Sequence, residues 1–251
     1  ALSYQDTVLK DPESGITKPA LVILKAMQGE GGFVPPSSEW LRGVREITER
    51  HDIPLVIDEV QTGFGRTGTM FAHEIAGIVP DAIVMSKALG GGFPLAVLAY
   101  HKRYDKWLPG AHAGTFRGNQ IAMVAGAATM QYLRTNNLPA QASAMGSYFK
   151  RKLAELADRF PFIGEVRGRG LMLGMEIVSS RAGESALDGA LAKAIKRNCF
   201  ENGVIVETGG RHGAVMRFLP ALTISQREID EAVSRIARSM ATCSHESAAL
   251  T

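Results

Sequence analysis

The chain has 251 residues, 45% of them hydrophobic and 21% charged, and a formal net charge of +3. These shares predict a soluble globular protein with a substantial core, and the mixed charges give no support to nucleic-acid binding. The apolar runs are of strand length, far short of the roughly 20 residues of a membrane span, so no membrane attachment is expected.

Cys199 and Cys243 are the only cysteines. We expect both to be reduced packing residues and predict neither a disulfide nor a metal site. No secretory signal is visible, which favours a cytoplasmic location. The chain begins with Ala1 rather than Met, and the pattern of residues 2–9 predicts that it starts inside a helix, so we expect it to be a piece of a longer protein.

The first half alternates strand-like runs with helical patterns. Ser37 and Ser38 are suited to cap a helix in which Leu41, Val44 and Ile47 share an apolar face. Apolar strand candidates lie at residues 20–24, 55–57, 83–85 and 95–100. This rhythm predicts an α/β fold with a mostly parallel sheet.

The second half has a different pattern. Long helices are predicted at 120–133, 142–160, 187–200 and from Ser225 to about Met240, with strands at 163–167, 171–177, 203–207 and 215–218. This part is interpreted as a smaller α+β domain. We therefore divide the chain into a large-domain portion, 1–136, and a small C-terminal domain, 137–251.

The most informative motifs follow two of the predicted strands. Asp58 ends the run Leu55-Val56-Ile57, and Lys87 follows the run Ala82–Met85 and precedes three glycines. The carboxyl ends of neighbouring parallel strands form the ligand-binding edge of an open α/β sheet. A carboxylate for a heterocycle nitrogen and a lysine for a Schiff base are what pyridoxal phosphate (PLP) chemistry requires. An isolated lysine at a strand end would more often be an ordinary surface residue.

Further polar residues accompany this pair. Val60, two residues after Asp58, would point to the same side of a strand and pack on a ring face, and Gln61 is suited to bond a ring oxygen. Thr115 lies before the long helix, where a hydroxyl and free N–H groups can bind an anion, although such residues are also ordinary caps. Arg217, flanked by apolar residues, needs a partner, either Glu30 or a substrate carboxylate.

These motifs together resemble the class III, ornithine/4-aminobutyrate-type aminotransferases of PLP fold type I. The resemblance is carried by Leu55–Gly68, Ser86–Gly92, Gly110–Asn119 and Arg167–Leu171, and it covers almost all of the chain. The stretches 92–96 and 109–120 look most like the diaminobutyrate–2-oxoglutarate transaminase branch. This resemblance implies 2,4-diaminobutyrate as the amino donor. Ornithine, acetylornithine, taurine-type and 4-aminobutyrate donors remain open.

The resemblance implies a role for each residue. Lys87 would carry the Schiff base and move the proton, and Asp58 would pair with the pyridine nitrogen. Val60 and Gln61 would contact the ring, and Thr115 would reach the cofactor phosphate of a neighbouring subunit, which makes the site a property of a homodimer. Glu30 would pair with Arg217 while the amine donor reacts and release it to bind 2-oxoglutarate.

Two departures from the family stand out. Lys25-Ala26 lie where the family usually has Glu-Pro or Glu-Ala, and the family's N-terminal half, with its phosphate cup and ring-stacking aromatic residue, has no counterpart here. The alternative to a working transaminase is therefore a truncated, catalytically inactive chain that needs a missing half or partner. A nucleotide-binding loop at residues 88–92 is rejected because no G-x-G-x-x-G fingerprint is present.

Overall fold

The computed structural model describes residues 1–179 and 186–248, with only the backbone for 244–248. Two units of tertiary contact are present. The first comprises Ala1–Ala26, Pro36–Phe64 and Thr69–Asn137, and the second Met27–Pro35, Gly65–Gly68 and the residues from Leu138 onward. Two short segments from the first half of the chain thus belong to the second unit, and one of them carries Glu30. No helix in the described ranges is long and apolar enough to cross a membrane.

The first unit is built on a four-stranded sheet. Its strands are β1 (Val22–Leu24), β2 (Leu55–Asp58), β3 (Ala82–Met85) and β4 (Val97–Tyr100), in that spatial order. β1, β2 and β3 run parallel, and β4 is antiparallel to β3. The mostly parallel sheet expected from the sequence is therefore confirmed.

Three α-helices belong to this unit: α1 (Leu2–Lys10), α2 (Ser38–Arg50) and α3 (Gln120–Thr135). Short 3₁₀ helices lie at Ala72–Ala76, Lys87–Gly90 and Lys102–Tyr104. The Ser37 hydroxyl caps α2 by accepting from the Trp40 N–H at 3.1 Å, as predicted. The apolar face of α2 packs on β2, which is fully buried at Leu55 and Ile57.

Asp81 fixes the start of β3. Its carboxylate accepts from the Leu55 N–H at 2.9 Å and from Arg45 at 2.6 Å, and it also contacts Arg103. Burial acts to raise the pKa of Asp81, but these hydrogen bonds outweigh it and lower the pKa to about 2. The parallel strands β2 and β3 are therefore joined by the Asp81 side chain as well as by backbone hydrogen bonds.

The second unit contains an antiparallel sheet and three helices. The strands β5 (Ile163–Arg169), β6 (Met172–Ile177), β7 (Glu207–Gly209) and β8 (Val215–Phe218) lie in the order β5-β6-β8-β7. The helices α4 (Leu138–Ala157), α5 (Gly189–Glu201) and α6 (Gln226–Ala248) share an apolar core with this sheet. The strand predicted at 203–207 is wrong in position, because that segment leaves α5 through a turn at Gly203 and pairing with β8 begins only at Glu207.

Candidate active site

Asp58 lies at the carboxyl end of β2, on the sheet edge where the sequence predicts it. Its Oδ1 accepts from the Val60 N–H at 3.0 Å, and its Oδ2 is in contact with the Lys25 ammonium group. The Asp58 side chain is 24% exposed and that of Lys25 is 44% exposed. The acid expected to meet a heterocycle nitrogen thus has a cationic partner within the chain.

The chain turns directly after Asp58. Glu59 is fully buried, and its carboxylate accepts from the His73 N–H at 3.0 Å, contacts His73 Nδ1 at 2.9 Å and is bonded by the Thr62 hydroxyl. The Gly63 N–H bonds back to the Glu59 carbonyl at 3.0 Å. This arrangement fixes the turn that follows Asp58.

The turn corrects one step of the sequence interpretation. β2 ends at Asp58, so Val60 and Gln61 lie in a turn and not in extended backbone. The period-two argument that placed Val60 on the side of Asp58 therefore does not apply to it. The side chains of Val60 and Gln61 are half-buried. Their contacts with a cofactor ring stay a prediction.

Lys87 follows β3 at the same edge of the sheet. The Glu59 N–H bonds to the Val84 carbonyl at 2.9 Å, which aligns the ends of β2 and β3. Lys87 has φ of +46°, a backbone conformation that is uncommon for residues other than glycine. Its side chain is exposed, so the amine is accessible to a carbonyl compound.

A glycine is required just beyond Lys87. Gly91 has φ of +59°, and a Cβ there would lie 2.4 Å from the Thr129 hydroxyl oxygen and 3.2 Å from the Ala125 carbonyl. The loop after the lysine is therefore held close against α3, which only a residue without a side chain permits.

Thr115 lies in an exposed segment before α3. All residues from Asp105 to Gln120 are exposed. Asn119 caps α3 by accepting a hydrogen bond from the Ala122 N–H at 3.1 Å. The hydroxyl of Thr115 is thus open to solvent in this chain. Its predicted contact with a cofactor phosphate in a neighbouring subunit stays a prediction.

Glu30 and Arg217 meet within the second unit, and the predicted ion pair is present. Arg217 Nη1 lies 2.7 Å from Glu30 Oε1, and its guanidinium carbon lies 5.4 Å from the centre of the Phe33 ring. The Arg217 side chain is only 7% exposed, whereas that of Glu30 is 78% exposed. The contact is ionic and not an aligned hydrogen bond, and Nε finds no acceptor among the described residues.

The loop that carries Glu30 is held by backbone contacts that the sequence did not reveal. The buried Arg167 donates from Nε to the Gly32 carbonyl at 2.9 Å, and the Gly210 N–H bonds to the Glu30 carbonyl at 2.9 Å. Arg167 also bonds Glu165 and Glu176 on the sheet at 2.9 and 3.2 Å. The only sequence signal at Arg167 was its place in the Arg167–Leu171 run that carries the family resemblance.

The donor set is compatible with pyridoxal phosphate. An accessible amine in a constrained backbone and a carboxylate held by a backbone N–H end two neighbouring parallel strands. Such a cofactor needs an amine for its aldehyde and an anion for its ring nitrogen. Lys87 and Asp58 would supply these two groups.

The sequence comparisons agree with this chemistry. The family model "Aminotransferase class-III" matches residues 13–240. The diaminobutyrate–2-oxoglutarate aminotransferase of Rhizobium meliloti (strain 1021) is 49% identical over 242 residues, covering 94% of this chain and 52% of that protein. The protein of the same name from Haemophilus influenzae is also 49% identical, with 94% and 53% covered. The chain spans about half the length of these curated relatives.

Solved structures show the same fold. An ornithine aminotransferase from Toxoplasma gondii, with partial occupancy of PLP at its active site, is 30% identical with a TM-score of 0.85 and covers 98% of this chain and 55% of its own. The acetylornithine aminotransferase of Elizabethkingia anophelis is 26% identical with a TM-score of 0.84, covering 96% and 58%. The fold is that of PLP fold type I, and the chain belongs to the class III aminotransferase family.

Proposed function

We propose that this chain carries the lysine and the ring-nitrogen carboxylate of a PLP-dependent transaminase. The enzyme moves the terminal amino group of a diamine-type amino acid such as 2,4-diaminobutyrate to 2-oxoglutarate. The observation that carries the proposal is the placement of Asp58 at the end of β2 and of Lys87 shortly after β3, the parallel neighbour of β2. The choice of donor is supported by relatives named diaminobutyrate–2-oxoglutarate aminotransferase.

The residues of the first unit divide the chemistry between them. Pyridoxal phosphate, when bound, supplies an aldehyde that takes up the amino group and a ring that withdraws electrons from the substrate carbon. Lys87 Nζ would hold the cofactor through its aldehyde and would move the proton at the substrate carbon. Asp58 would keep the ring nitrogen protonated, and Val60 and Gln61 would contact the ring.

Arg217 and Glu30 provide a carboxylate site that can open. The buried guanidinium needs an anion at all times, while the exposed Glu30 carboxylate loses little when it returns to water. A dicarboxylic acceptor such as 2-oxoglutarate can therefore replace Glu30 on Arg217. While the amino donor reacts, Glu30 pairs with the Arg217 guanidinium, so the donor does not need a second carboxylate to neutralise it.

The exposed Thr115 suggests that the site is completed by a second subunit. A hydroxyl in a wholly exposed segment at the start of α3 is suited to reach a phosphate bound elsewhere. We propose a homodimer in the cytoplasm with the active site at the subunit interface.

One observation favours a second candidate, a chain that is inactive until another polypeptide covers it. Apolar side chains of the first unit are open to solvent: Leu98 is 48%, Ile121 64% and Val124 71% exposed. Exposed apolar side chains such as these are suited to contact with another polypeptide. In this alternative the fold is unchanged but the cofactor is held weakly.

A half-reaction assay separates the candidates. The chain is incubated with PLP and 2,4-diaminobutyrate, and pyridoxamine phosphate is measured; 2-oxoglutarate should then reverse the conversion. The variant Lys87→Ala serves as the control. Conversion no faster than in the control refutes activity of this chain alone, and preference for ornithine or 4-aminobutyrate refutes the proposed donor.

A further inference from the structure

Lys25 lies beside Asp58 because of the sheet register. Leu24, the last residue of β1, is paired with Ile57 of β2, so Lys25 follows β1 at the level where Asp58 ends β2. The Lys25 ammonium group contacts Asp58 Oδ2 at this edge of the sheet.

The contact completes the surroundings of the Asp58 carboxylate. Oδ1 receives the Val60 N–H at 3.0 Å and Oδ2 receives Lys25. Only 24% of the Asp58 side chain is exposed, so a negative charge there benefits from a counter-ion. The Lys25 side chain is 44% exposed, and its ammonium group can return to water at small cost.

We propose that Lys25 is the resting counter-ion of Asp58 and that it gives up this carboxylate to the ring nitrogen when the cofactor binds. The inference rests on the proposed function, because it requires Asp58 to receive that nitrogen. Two cations, the ammonium group and a protonated ring nitrogen, then compete for one negative charge. Lys25 is a positioning residue in this scheme and takes no part in bond making.

Counter-ion exchange has a signature that a purely structural lysine lacks. Removing the Lys25 charge destabilises the cofactor-free chain, because Asp58 loses its partner. The same change strengthens cofactor binding, because no ion pair has to be broken first. A lysine that only supported the fold would change both quantities in the same direction.

The test uses the full chain and four variants: Lys25→Met, Lys25→Arg, Asp58→Asn and the double variant Lys25→Met/Asp58→Asn. Lys10→Met is the matched control, since Lys10 also pairs with an aspartate, Asp6, with side chains 56% and 20% exposed, but on α1. The melting temperature is measured without cofactor, and the dissociation constant for PLP is measured by equilibrium dialysis.

Lys25→Met should lower the cofactor-free melting temperature by about 1–3 °C, as expected for a partly exposed ion pair. It should tighten PLP binding by about two- to fivefold. Lys25→Arg should keep both wild-type values, and Lys25→Met should have no effect on either in the Asp58→Asn background. Lys10→Met should leave the PLP constant unchanged.

Equal or weaker PLP binding by Lys25→Met overturns the exchange, as does an effect that persists in the Asp58→Asn background. If borohydride still traps PLP on Lys87 in that case, the proposed function stands and only the role of Lys25 is wrong. If no variant binds PLP and Lys87 is not trapped, both the exchange and the proposed cofactor site are refuted.

Discussion

Arg217 is buried and Glu30 is exposed, so removing the Glu30 charge should lower the free energy of unfolding more than removing the Arg217 charge. Glu30→Gln removes the nearer carboxylate from a guanidinium that is 7% exposed, and only Glu207, at 4.0 Å, remains near it. With Nη1 and Oε1 2.7 Å apart and the carboxylate largely in water, we expect a loss of roughly 1–2 kcal/mol in the free energy of unfolding. Arg217→Met removes the buried charge, keeps most of the side-chain volume and leaves Glu30 solvated, so its cost should stay below about 1 kcal/mol.

Urea unfolding followed by far-UV circular dichroism measures both changes. Glu207→Gln is the control, because its carboxylate lies 4.0 Å from Arg217 Nη2 and is 60% exposed, so it should cost less than about 0.5 kcal/mol. In Glu30→Gln, 2-oxoglutarate at tenfold its dissociation constant should restore about 1.4 kcal/mol, and in Arg217→Met it should restore none. If Arg217→Met is the more destabilised variant, the exchangeable anion site is refuted.

Two further changes test the fold around the site. The low pKa of Asp81 stabilises the folded chain above the unfolded value of 3.8, and this contribution is lost as the pH falls towards 2. Between pH 5 and pH 2 the free energy of unfolding of the wild type should therefore fall by about 2 kcal/mol more than that of Asp81→Asn, as measured by urea titrations across that range. An equal fall in both proteins would contradict the low pKa of Asp81. Gly91→Ala should destabilise by about 2–3 kcal/mol, against about 1 kcal/mol for Gly77→Ala, because both glycines have positive φ but only Gly91 would bring a Cβ within 2.4 Å of Thr129. Equal melting temperatures for the two alanine variants would show that α3 does not press on this loop.

Much of the fold could be predicted from local patterns. The apolar runs that end at Asp58 and before Lys87 are too short and too continuous for surface helices, and they form the parallel strands β2 and β3. The cap at Ser37 could also be predicted, because a hydroxyl before a helical pattern accepts a hydrogen bond from a backbone N–H of the first turn. The ion pair between Glu30 and Arg217 was among the predicted alternatives.

The remaining contacts could not be predicted because they join residues that are far apart in the sequence. Lys25 and Asp58 are 33 residues apart, and only the register of β1 on β2 makes them neighbours. Arg167 reaches Gly32 across 135 residues of sequence. Only the strand geometry assumed for Val60 was wrong, because β2 ends at Asp58 and the burial of Glu59 in the following turn could not be recognised from the sequence.

Reductive trapping shows directly whether Lys87 is the lysine that holds the cofactor. The chain is incubated with PLP and reduced with borohydride, and the modified peptides are mapped by mass spectrometry, with Lys87→Ala in parallel. We expect a phosphopyridoxyl group on Lys87 and none on any other lysine. Labelling that is scattered over exposed lysines, or that is unchanged in the variant, would contradict it.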